Sequence, residues 1–307
     1  MPTATPKRSK AARRPKPEAN TYGLPTGEPI RKALREVFRS QRNACLKALG
    51  VSPKASKRAR TGQGRNSLAF RLATKDEGVP ASDPASFDFP DLGPGLLDMA
   101  KRMTPLLAVY WEQGGEELRS RIGLDPNAWS VTNPHLRRMI EQAALDFCAA
   151  TNATTSLQLN EAKSKLREEL TAGVVDRGES VAALTKRVNK IFDTAETWRA
   201  RRIAATEASR AVHAAQEEAA KQSGIVAGWE WLLSSDACPL CHRIVAEAGK
   251  VRLGQAFAVI GDHPTYSQIR MPPGHPGCQC TAVPILTPSY GGPEDPQWSS
   301  TLDQPEA

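Results

Sequence analysis

The chain has 307 residues, with 41 Lys and Arg against 33 Asp and Glu and a formal net charge of +8. That length allows two ordinary domains, or one domain with long arms. No apolar run approaches the roughly 20 residues needed to cross a bilayer, and no apolar segment follows the basic N-terminus, so neither a membrane span nor a secretory signal is expected.

The charge is concentrated at one end. Residues 1–72 hold 18 Lys and Arg but only three acids (Glu18, Glu28 and Glu36), a balance of +15 that leaves −7 for the rest. Such a segment favours a polyanion, and nucleic acid is the commonest one. Within it, residues 1–27 carry Lys7, Arg8, Lys10, Arg13, Arg14 and Lys16 among prolines and small residues. They cannot bury a core, so a disordered basic arm is expected, with these six side chains as candidate nucleic-acid contacts or simply as a solubilising tail.

From Pro29 the pattern changes. Ile30, Leu34, Val37, Phe38, Cys45, Ala48 and Leu49 fall on one helical stripe, which Gly50 and Pro53 end. Up to residue 95 the chain reads as a basic, then Pro/Asp/Gly-rich linker, with a short helix near Leu68–Ala73. Leu96 to Tyr110 predict a helix kinked or interrupted at Pro105. Asn133-Pro134 is a start signal, a capping side chain followed by proline at the first helical position. Leu136, Ile140, Ala143, Ala144 and Phe147 give that helix its apolar face. The run Thr151–Thr155 is expected to break it, with another helix from about Ser156 to Val175. Gly178-Glu179-Ser180 punctuates before Val181, Leu184, Val188, Ile191 and Phe192. A last long helix is expected over Glu196–Gln222, closed by Gly224. Trp229 and Trp231 alternate with small or polar residues over Ile225–Ser234, which reads as the first clear strand, with the two indoles packing around the cysteine-rich region beyond it.

The chemistry lies beyond that strand. Cys238-Pro239-Leu240-Cys241 is a C-x2-C turn, which lets two thiolates meet one ion while nearby amides face the sulfurs. His275-Pro276-Gly277-Cys278-Gln279-Cys280 is a second half-site, separated from the first by 33 residues. Joining the halves around zinc closes the loop and is expected to stand in for an apolar core that the region is too short to build. Five candidates, Cys238, Cys241, His275, Cys278 and Cys280, compete for four places. A full protein shell leaves no position for water, so the zinc is expected to be structural and the protein not an enzyme. His242 and His263 are read as solvated, and Cys45 and Cys148 as small core residues. A redox C-x2-C wants a strand before it and a helix after it within an α/β sheet, and the sequence suggests no such sheet. A c-type haem at Cys238–His242 would require export. A zinc deaminase lacks its H-x-E here, and Asp262-His263 lacks the partners of an HNH nuclease.

The order Arg202-Ile203-Ala204-Ala205-Thr206-Glu207, Gly224, Trp229 or Trp231, Ser235-Asp236-x-Cys238-Pro-x-Cys241, His275-Pro276-x-Cys278-x-Cys280, Pro284 resembles the Mu F-like minor head proteins of tailed bacteriophages. The likeness covers about Arg201–Ile285. Thr132-Asn133-Pro134 and Thr151-Asn152-x-Thr154-Thr155 also look like the region preceding it in that family. Gln279 departs from the arginine often found there, and the long gap implies an extra hairpin or loop within Gly249–Pro273. Glu207 is read as a partner of Arg202 or Arg210, not as a catalytic acid.

What the resemblance implies is a minor capsid protein made in the bacterial host cytoplasm. It would lie in the virion's capsid interior near the portal and contact portal and capsid components, with packaged double-stranded DNA as a further partner. The alternative from another class is a zinc-dependent DNA-binding or DNA-processing protein, nuclease-like. The expected fold is mainly α. It comprises a basic arm (1–27), a basic helix and linker (28–95), a helical domain (96–195), a zinc-stapled α+β subdomain bearing the resemblance (196–286) and a flexible tail (287–307).

Overall fold

A computed structural model describes residues 26–51, 89–172, 180–258 and 268–294. Residues 1–25 of the expected arm, 295–307 of the expected tail, the short helix near Leu68–Ala73 and His263 lie outside them, while the start of the tail forms a 3-10 turn, Pro288–Tyr290.

Helix α1 (Glu28–Ala48) forms as its stripe predicts and buries Ile30, Leu34, Phe38, Cys45 and Leu46. Helix α2 spans Leu96–Arg121 and continues without interruption through Pro105. The expected interruption does not occur because the proline lies on the exposed face. The carbonyl that it leaves without an amide donor belongs to Lys101, also exposed. Helix α3 (Pro134–Thr171) starts where Asn133-Pro134 predicts, with Asn133 Oδ1 accepting from the His135 amide at 2.9 Å.

The expected break at Thr151–Thr155 is absent. α3 is one helix of 38 residues, about 57 Å long. Thr151 and Thr155 are buried, and their polar groups face an arginine from another element. Arg199 Nη1 donates to Thr155 Oγ1 at 3.0 Å, and its Nη2 donates to Thr151 O at 2.9 Å. Its guanidinium carbon lies 5.2 Å from the centre of the Phe38 ring of α1. Residues that favour turns in isolation stay helical here because their hydrogen-bonding needs are met within the fold.

Helix α4 (Ser180–Thr194) packs on the far part of α3, where Arg187 donates to Glu169 and to Ala162 O. It continues without a break through a π-helical turn, Ala195–Arg199, into α5 (Ala200–Ser223). Glu196 in that turn is paired with Arg42 of α1 at 2.9 Å. α5 is the central helix, packed most extensively against α2 and then α1, and it ends at Gly224 as expected.

Strand β1 (Val226–Leu232) follows, then α6 (Pro239–Ala248), β2 (Lys250–Arg252), β3 (Phe257–Ala258), β4 (Gln268–Ile269) and β5 (Thr281–Leu286). β1 is the middle of an antiparallel sheet ordered β2-β1-β5, with Trp229 opposite Val251 and Pro284. Pro284 is tolerated because β5 is an edge strand. β3 and β4 pair antiparallel, and this is the extra hairpin expected within Gly249–Pro273.

The small unit does have an apolar core, against expectation, and it is continuous with that of the helical body. Trp231 and Phe257 meet edge to face with ring centres 5.1 Å apart. Ile244, Ala248, Val251 and Ile269 are buried in the same continuous core. A Cβ on Gly274 would touch Ile244, Ile269 and Trp231, so the loop before His275 closes directly over this cluster. Among the described residues no helix is long and apolar enough to cross a membrane.

Candidate metal centre

Cys238 is the N-cap of α6 and Cys241 lies in its first turn. Amides at a helix N-terminus lack partners within the helix and favour negative charge, so the pair sits where thiolates are stabilised. Pro239 fits the first helical position because its missing N–H is not needed there. A strand does precede this C-x2-C and a helix does follow it, but the sheet is antiparallel, unlike the α/β setting of a redox pair. The second half-site is a turn in which the Cys278 amide donates to His275 O at 3.0 Å.

The two halves meet. Cys238, Cys241 and His275 form one group of donors, and Cys241, Cys278 and Cys280 another, with Cys241 common to both. The four cysteines are free thiols. The sulfurs of Cys238 and Cys241 are 3.8 Å apart, and those of Cys241 and Cys278 are 3.7 Å apart. Four ligands about 2.3 Å from one ion in a tetrahedron stand roughly 3.8 Å from each other, so these separations fit shared coordination. His275 Nε2 is 3.1 Å from the Cys238 sulfur and 3.3 Å from that of Cys241. The groups can hold a metal ion, and thiolates with one imidazole suit a soft or borderline divalent one.

The electrostatics agree with a site that needs a cation. The thiols of Cys278 and Cys280, together with burial, push the Cys241 thiol well above its ordinary range. Hydrogen bonds from Cys241 and Cys280 hold Cys278 down at about 3. Sulfurs as close as those of Cys241 and Cys278, 3.7 Å apart, resist both ionising without a positive ion between them. Burial works against the Cys238 thiolate, but hydrogen bonds from Cys241, the His275 charge and the Leu240 amide together bring its pKa below the usual thiol value.

Several contacts that support this centre carried no signal in the sequence. His275 Nδ1 lies 3.2 Å from Pro276 O. A carbonyl can only accept, so Nδ1 carries a proton in this contact, and Nε2 is the nitrogen that faces the sulfurs. Arg202 of α5 donates to the same carbonyl from Nε at 3.1 Å and from Nη2 at 2.7 Å. The Gly277 amide donates to Thr206 Oγ1 at 2.9 Å.

Deeper on α5, fully buried His213 contacts Ser209 O through Nδ1 at 2.8 Å and Thr281 Oγ1 through Nε2 at 3.1 Å. This joins α5 to β5 one residue past Cys280. Ser234 Oγ lies 3.9 Å from the Cys280 sulfur. Gln279 reaches across to Asp236 at 3.5 Å, so the departure from arginine still links the two half-sites.

Of the other residues singled out, Glu207 pairs with Arg210 at 2.7 Å, while Arg202 serves the loop. Burial raises the Glu207 pKa, against the lowering effect of Arg210. Cys45 and Cys148 are buried core thiols, each pushed up to about 12, chiefly by burial. His242 is exposed. Lys7, Arg8, Lys10, Arg13, Arg14 and Lys16 lie outside the described residues.

His213 gives a pH test. Burial lowers its pKa from 6.5 to about 4. Between those values the unfolded chain takes up a proton that the folded chain refuses. Stability therefore falls as pH drops through this window, by up to about 3 kcal/mol. Urea unfolding from pH 7 to pH 4 is expected to show a shallower decline for His213→Gln than for the wild type. Parallel curves would contradict this assignment.

Residues 164–283 match the family model for phage Mu protein F like protein, a stretch from the last two turns of α3 into β5 that contains all five donors. Thr132–Thr155, which also looked like the family, precede the matched residues. No curated protein and no solved structure matches the chain. The order of motifs, the joined half-sites and the family match agree, and this chain carries a phage Mu protein F like region.

Proposed function

We propose that the protein is a minor head protein of a tailed bacteriophage. It sits in the capsid interior beside the portal, where it assists head assembly and DNA packaging or ejection. The observation that carries this reading is the match of residues 164–283, because the matched stretch and the donor cluster coincide. Mass spectrometry of purified virions tests it. The chain is expected in few copies per head, and its absence from intact virions would overturn the proposal.

Zinc is the ion proposed, held by Cys238, Cys241, His275 and Cys278. Cys278 is favoured over Cys280 because its sulfur is 3.7 Å from that of Cys241, whereas Cys280 has Ser234 beside it. Four protein ligands leave no open position, so the ion would clamp α6 to the His275–Cys280 loop and take no part in a reaction. Against the nuclease alternative, Asp236 is engaged by Gln279 and Glu247 pairs with Arg243. No pair of acids is thereby offered to a second ion by these residues.

The basic arm is proposed to contact packaged DNA. Removing residues 1–27 deletes six Lys and Arg. If all six neutralise phosphates, the slope of log affinity against log salt should flatten by about 5. An unchanged slope would remove the arm from the interface.

A further inference from the structure

We propose that α5 is a working part of the metal centre: Arg202 and Thr206 position the His275–Cys278 turn for the ion, and so couple metal affinity to the helical body. The inference rests on reading the Cys/His cluster as a metal site.

Each contact fixes a different part of the turn. Pro276 O is the junction. It receives Nε and Nη2 of Arg202, and it lies within reach of His275 Nδ1. The arginine thus anchors the acceptor that sets both the tautomer and the facing of the ligand imidazole. Outer hydrogen bonds of this kind orient metal-bound histidines and raise their basicity. Thr206 acts one residue on. Its hydroxyl donates to Arg202 O at 2.8 Å within α5 and accepts the Gly277 amide at 2.9 Å. With both roles filled, the hydroxyl is held in one orientation and fixes the backbone just before Cys278.

Gly277 completes the fit. Its φ is +83°, a left-handed conformation costly for other residues, and a Cβ there would come within 3.3 Å of Arg202 Nε. Trp198 explains why the guanidinium stays in place at the surface. Its ring centre is 5.1 Å from the guanidinium carbon, and the indole is 56% exposed. This large exposed aromatic has a role as the outer wall of the arginine. The chain Trp198, Arg202, Pro276, His275 runs from the surface to the donor cluster.

The test measures zinc affinity of the full chain by chelator competition, with Co(II) absorption as a report on ligand geometry. Arg202→Met and Thr206→Val are expected to weaken zinc binding at least tenfold and to alter the Co(II) bands. Thr206→Ser, which keeps the hydroxyl, is expected to restore wild-type values. Helical circular dichroism is expected to be the same in all four proteins. Arg202 is exposed, so its variant should fold even if Thr206→Val does not. Wild-type affinity in both Arg202→Met and Thr206→Val would overturn the positioning role, as would a Thr206→Ser protein as impaired as Thr206→Val. A wild-type chain that binds neither ion would instead overturn the metal site itself, and the inference with it.

Discussion

Cys241→Ser is expected to abolish metal binding and to unfold the segment from α6 to the His275–Cys280 loop, leaving the helical body intact. Cys241 is the sensitive position because it belongs to both donor groups. Its removal therefore breaks each of the two groups. Binding energies of structural zinc sites are on the order of 10 kcal/mol, and that energy is available only to the folded form. The loss should be partly offset here, because Trp231, Phe257, Ile244 and Ile269 belong to an apolar core continuous with that of the helical body. A lowered and less cooperative transition for the C-terminal part is therefore expected, with most helical signal retained. Cys280→Ser is the control: it should keep a full complement of metal. Elemental analysis and thermal circular dichroism of both variants check this. Full metal content in Cys241→Ser would contradict the shared-donor geometry.

Gly114→Ala is expected to destabilise the helical body by about 3 kcal/mol, the upper end of what overpacking a close contact costs. The effect runs against intrinsic propensity, which favours alanine over glycine in a helix by about 1 kcal/mol. The reason is the approach of α2 to α5. A Cβ on Gly114 would lie 2.3 Å from Val212 O and 2.9 Å from Val212 Cα. Both are backbone atoms, so no rotamer change relieves the clash and the two helices must separate. Gly115 is equally restricted, since a Cβ there would fall 2.1 Å from the Trp129 ring. Trp129 is itself fixed, its Nε1 donating to Trp111 O at 3.2 Å. Denaturant unfolding of Gly114→Ala measures the cost. Stability equal to or above wild type would mean that the helices are not held this closely.

Features set by local pattern were legible in the sequence. The stripe from Ile30 to Leu49, the Asn133-Pro134 start, the Gly224 stop and the strand around Trp229 and Trp231 all depend on neighbours within a few residues, and each formed. The two half-sites were legible for the same reason, since C-x2-C and H-x2-C-x-C are each complete within a single turn.

Elsewhere a distant partner decides the outcome. Thr151–Thr155 looked like a break, yet Arg199, 44 residues beyond Thr155, satisfies it as helix. Pro105 looked like a possible interruption, but the helix continues because the proline lies on the face that α2 turns to solvent. The Gly114-Gly115 pair carried no visible purpose until Val212 and Trp129 were placed against it. The same holds at the site. Arg202 and Thr206 stood within the family motif, but nothing local says that their targets are Pro276 O and the Gly277 amide, more than 70 residues away. The core beneath the metal loop was missed because Trp231, Ile244, Phe257 and Ile269 are scattered over short elements with no shared periodicity.

The most direct test of the metal centre is the metal content of the purified, untagged chain by elemental mass spectrometry, with thiol counting before and after chelation. About one zinc per chain is expected, with thiols at Cys238, Cys241 and Cys278 that react only once the metal is stripped and the protein denatured. A chain free of metal, with those thiols reactive from the start or joined in disulfides, would contradict a zinc-clamped centre.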